Sequence, residues 1–171
     1  MLVEFLATIS LGAGAAGIVM LLRHLLRIDL PKWAMPAAAG VAMLAFTIWS
    51  EMTWFDRTTA ALGPDKIVAQ TVEGKTILRP WTLISQPVSR FLALDKGSAV
   101  IRDGMVLTDI YAVARWQDGA IVPAAFDCLL ARRADLFAGR EGDVDDVLEG
   151  ADWISVGRDD ALLRVACDDI R

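Results

Sequence analysis

Three sets of residues in this chain have the types and spacing that chemistry requires. The first is Gly12-x-Gly14-x-x-Gly17, the glycine pattern that brings backbone close to a dinucleotide's pyrophosphate. The second is Cys128 and Cys167, which can form a disulfide or work as a redox pair. The third is the acidic stretch with Asp143, Asp145, Asp146 and Glu149, whose carboxylates are the oxygen ligands that calcium takes.

Each set is then judged by the elements that must hold it. A dinucleotide turn needs a buried strand before it and a ribose-binding acid about 20 residues after it. Here the preceding segment carries Glu4, Thr8 and Ser10, and the first acid after Gly17 is Asp29, too near for a crossover helix and a second strand. The scaffold is missing. The acidic stretch departs from the calcium-loop spacing and misplaces its glycine, so a solvated loop is expected, and no metal or cofactor is assigned.

Nucleophilic and acid–base catalysis fare no better. The only histidine, His24, precedes the second apolar run, so the rest of the chain has no imidazole base or ligand. No G-x-S-x-G, P-loop or C-x-x-C occurs. Asp127, Arg132, Arg133 and Asp135 lie close in sequence and read as ion pairs on a helix surface. No catalytic residue is assigned.

The glycines find their use in a different setting. From Leu2 to Leu22 the only charge is Glu4, and 21 residues at about 1.5 Å each match the roughly 30 Å of a bilayer's hydrocarbon core. A second uncharged run, Trp33 to Trp49, reaches spanning length when extended to Phe55. Pro36 falls in its first turn, and Trp33, Trp49 and Trp54 mark its ends as interfacial rings. With a mean hydropathy of +0.44, these runs predict a transmembrane hairpin of helices about 2–25 and 33–54. Glu4 and the lack of a basic start argue against a cleaved leader.

Gly12 with Ala16, and Ala13 with Gly17, are four apart and would let another helix backbone approach closely in lipid. Pro36 with Gly40, and Ala38 with Ala42, repeat the arrangement on the second helix. The bend 23–32 carries Arg23, Arg27 and Lys32, which by the positive-inside rule places it in the cytoplasm and both termini outside. No asparagine, and four lysines against thirteen arginines, fit a GC-rich bacterial gene, making the expected location the bacterial inner membrane with a periplasmic domain.

After a hinge, 56–66, residues 67–171 are expected to form a small α+β domain rich in antiparallel sheet. "KIVAQTV" and "TILRPWTLI" flank "EGK", and "FLALD" and "SAVIR" flank "KG", patterns that predict two hairpins. Residues 105–119 fit a strand or a helix and are taken as strand from context. "PAAFDCLLARRADLFAG" predicts a helix from Pro123 to a stop at Gly139, although "IVPAAFDCLL" also fits a strand. "WISVG" then predicts a strand, and 159–167 a short terminal helix.

From Glu51 onward there are 20 acidic and 14 basic side chains, a net of minus six, which disfavours nucleic acid as a partner. The expectation is a non-catalytic, membrane-anchored protein whose acidic domain binds or scaffolds another envelope protein, as an accessory or assembly subunit of a membrane complex. The bilayer is one partner, and a membrane or periplasmic protein or a second copy is the other. A redox or carboxylate-dependent envelope enzyme, and a small oligomeric channel or transporter, are the competing classes.

Overall fold

A computed structural model describes residues 2–27, 29, 31–74, 82, 86–136, 147, 148 and 150–170. The chain divides into two units, Met1–Trp54 and Phe55–Arg171.

The first unit is two long apolar helices, α1 (Leu2–Leu26) and the greater part of α2 (Ala34–Leu62). Both are long and apolar enough to cross a membrane, and little of either is buried within the chain. α1 stops where Arg27 takes a left-handed conformation (φ 53°). The α2 helix outlasts its predicted end at 54. It continues through most of the stretch expected as a hinge, because "FDRTTAAL" contains no glycine or proline, and it ends at Gly63 (φ 89°).

The second unit is built on one antiparallel sheet. Its strands are β1 (Lys66–Glu73), β2 (Val88–Asp95), β3 (Val100–Arg102), β4 (Met105–Ala114), β5 (Ala120–Asp127), β6 (Arg132–Asp135) and β7 (Trp153–Ser155). The order is β1-β2-β4-β5-β6-β7, with β3 also paired to β4. A register shift between Val68 and Gln70 makes Ala69 a bulge in β1.

One predicted pairing resolves differently. "FLALD" and "SAVIR" do not form a hairpin with each other. The chain jogs through a 3-10 turn (Lys96–Ser98), and both segments lie along the same edge of β4. Asp95 caps that turn by accepting from the Gly97 N–H, while the buried Thr108 hydroxyl donates to the Asp95 carbonyl at 2.7 Å, across the gap between β2 and β3. The tight hairpin is β3–β4, where Asp103 (φ 49°) and Gly104 (φ 82°) supply the two positive φ angles of a type I′ turn. The second arm of the other predicted hairpin, 76–84, lies almost wholly outside the described residues.

The helix predicted from Pro123 to Gly139 is absent over its described part, which is two strands, β5 and β6, paired from Ala124↔Asp135 to Asp127↔Arg132. Burial on both sheet faces explains the run of apolar residues that mimicked a helix. On one face Leu94, Val106, Ile110, Ala124 and Phe126 pack beneath a short terminal helix, α3 (Ala161–Arg164), and the π-helical turn Val165–Ile170 that extends it. On the other, Leu107 and Ala125 pack with Leu136 and Leu148. Asp160 caps α3 by accepting from the Leu163 N–H at 2.9 Å.

Candidate functional site: the β5–β6 turn, its disulfide and the helix faces

The most ordered polar constellation is the turn between β5 and β6. Asp127 closes β5, and its Oδ1 accepts from the N–H groups of Leu129 and Leu130, both at 3.0 Å. These bonds turn the chain, which is how an aspartate side chain defeats helix continuation. Oδ2 accepts from Arg132 Nε at 2.9 Å, and the Arg132 guanidinium also lies 4.5 Å from the centroid of the Trp153 ring. Trp153 in turn donates to the Leu148 carbonyl. Arg132 thus ties the turn to β7.

Burial pushes the Asp127 carboxyl up, but the Leu130 N–H, Arg132 and the Leu129 N–H together outweigh it and hold the pKa below its ordinary value of 3.8. Asp127→Ala is therefore expected to destabilise the domain by about 2 to 3 kcal/mol, since Arg132 and two N–H groups lose their acceptor. Because the folded-state pKa is depressed, this stabilisation is present at neutral pH and lost as pH falls through that pKa. Urea unfolding at pH 7 and at pH 3 should show the difference between wild type and variant shrinking in acid.

Cys128, next in the turn, is bonded to Cys167 in the π-helical turn, 39 residues away, with a Cα–Cα distance of 5.8 Å. A cleft of about 390 Å³ opens over the bond, bordered by Leu129, Arg158, Arg164 and Asp168. As a bonded pair the sulfurs present no thiolate nucleophile. Leu129 and Leu130, at the crown of the turn, are 68% and 63% exposed. A Cβ added to Gly104 would touch Leu129, which places this leucine beside the β3–β4 turn.

The four residues read from sequence as ion-paired do pair, Asp127 with Arg132 and Arg133 with Asp135 (3.1 Å), but on strands and a turn rather than on a helix. Asp143, Asp145, Asp146 and Glu149 lie outside the described residues.

In the helical unit, Gly12 is the buried glycine of α1, and a Cβ there would overlap the Met43 thioether. Among the described residues, nothing beyond the local helix lies within 4 Å of a Cβ added at Gly17 or Gly40. Five residues separate Gly12 from Gly17, about 140° around a helix, so the two cannot face the same neighbour. Ala13 is exposed and Ala16 half-buried. Ser50 donates to Glu4 Oε1 at 2.6 Å, a second tie between the helices. Gly12→Leu is expected to weaken the hairpin by about 1 to 3 kcal/mol and Gly17→Leu to leave it intact, judged by the midpoint of far-UV circular dichroism in an SDS titration. Arg23, His24 and Arg27 border a cleft of about 440 Å³ at the end of α1, with Lys32 exposed in the bend.

Comparison of the chain with protein-family models, with curated proteins and with solved structures finds no match.

Proposed function

We propose that this chain is a membrane-anchored, non-catalytic protein of the bacterial inner membrane, whose outer domain binds or scaffolds another envelope protein. In this reading α1 and α2 span the bilayer, the bend with Arg23, Arg27 and Lys32 is cytoplasmic, and the sheet domain is periplasmic.

The observation that carries it is the bare surface of the helices. Two helices of 25 and 29 residues keep most of their leucines, isoleucines and valines exposed, and lipid is the solvent in which such a surface is stable. The Cys128–Cys167 bond supports the outside placement, because such bonds persist in oxidising compartments. The exposed Leu129–Leu130 crown is the surface offered to the partner.

Two measurements test the proposal. Alkaline phosphatase fused after Arg171 should be active and a cytoplasmic reporter at the same place silent; the reverse pattern overturns the topology. A photo-crosslinking amino acid at Leu129 should join the chain in living cells to one discrete protein, and Leu130→Asp should abolish that product. Crosslinks only to lipid would overturn the scaffolding role.

A further inference from the structure

The helical cap of the domain covers only part of its sheet face. Leu94, Ile110 and Ala124 lie beneath α3 and the π-helical turn, but the same face continues past them toward the other end of β2 and β4. There Leu92, Ala112 and Ala120 stand in register across three strands, with Val72 and Ala114 flanking Arg90 one step further on. They floor a groove of about 380 Å³, within the range of small-ligand sites. The alanines create the depression.

Four polar side chains, Gln70, Arg90, Gln117 and Asp118, border this apolar floor. Each makes no hydrogen bond or ion pair among the described residues. One cation, one anion and two carboxamides, all exposed to solvent and without a protein partner among the described residues, thus surround a shared apolar surface. Their chemistry is complementary to a single kind of molecule. A guanidinium matches a carboxylate, a carboxylate matches an ammonium, and a carboxamide, which both donates and accepts, matches a peptide group. The floor suits apolar side chains.

We propose that this groove binds short apolar peptides with free ends, of dipeptide size, with the C-terminal carboxylate on Arg90, the N-terminal ammonium on Asp118, and the peptide group between Gln70 and Gln117. The site is separate from the Leu129–Leu130 crown, and its test does not depend on the membrane topology.

The test titrates leucyl-phenylalanine into the full chain in lipid nanodiscs, with alanine methyls labelled with carbon-13, so that Ala112, Ala114 and Ala120 report from the floor itself. Saturable shifts of these methyls are expected, while the methyl of the core residue Ala124 stays fixed. Amidating the peptide's C-terminus should weaken binding about tenfold in wild type and not at all in Arg90→Gln. Acetylating its N-terminus should do the same in wild type and nothing in Asp118→Asn. Because Arg90 and Asp118 are exposed and unpaired, both variants should fold, and an unchanged Ala124 methyl signal checks this. No saturable shift, equal binding of the blocked peptides by wild type, or floor shifts that follow only the acyl chains of the nanodisc would overturn the proposal.

Discussion

Phe126→Ala is expected to cost the sheet domain about 3 to 5 kcal/mol, the range for removing a fully buried aromatic ring without collapse of the site. Phe126 has 0% of its surface exposed and lies in β5 against Val106, its ladder partner, and the underside of the terminal cap, Leu162 and Ala166 among it. The neighbours cannot close the void easily. β5 is held between β4 and β6, so its backbone is fixed by ladders on both sides. Small domains have only about 5 to 15 kcal/mol of net stability, so roughly a fifth of it or more would vanish. Hydrogen exchange followed by mass spectrometry should show the amides of β4, β5 and α3 losing protection together, with α1 unchanged. A loss below about 1 kcal/mol would mean that the core is not centred here.

The second large effect concerns the Cys128–Cys167 bond. Replacing both cysteines by serine is expected to destabilise the domain by about 4 kcal/mol, the chain-entropy value for a closed loop of this length. The loop contains β6, β7 and α3, so opening it frees the whole C-terminal edge. A structural role also makes a chemical prediction. The bond should resist glutathione at the poise of an oxidising compartment and should not cycle, and the serine variant should lose stability but retain partner crosslinking at low temperature. Rapid reduction by glutathione with unchanged stability would instead favour the redox reading of the pair.

The helices were legible in the sequence because a long apolar run with almost no charge, and no proline past its first turn, favours one continuous helix. The sheet was legible because turn residues punctuate it. The stretch from Pro123 was harder. Its apolar residues, Ala124, Ala125, Phe126, Leu129 and Leu130, satisfy a helical face and a two-faced buried strand alike. The outcome is decided by contacts that periodicity does not contain. These are the bonds from Asp127 to the Leu129 and Leu130 N–H groups, the Arg132 pair, and a disulfide partner 39 residues on. Pro123 is not a helix start but sits in β5, where Leu136, one residue past β6, donates its N–H to the Pro123 carbonyl. The glycines were partly legible. Spacing showed which residues share a face, and only the position of Met43 showed which face is used. The groove floored by Leu92 and Ala112 was invisible, because Gln70, Arg90 and Ala112 come together through strand register and Asp118 joins them from the turn between β4 and β5.

The bulge at Ala69 has a bearing on how such chains coexist. β1 is the outermost strand on its side among the described strands, and a flat, regular outermost strand is a template on which a neighbouring sheet can grow. Proteins tethered to one surface meet each other at high local density and in similar orientation, the circumstances that favour such growth. An extra residue in mid-strand, with Lys66 and Glu73 at its two ends, spoils the repeat that a second chain would have to match. If the chain is anchored in a membrane as proposed, this irregularity would disfavour edge-to-edge pairing between neighbouring copies.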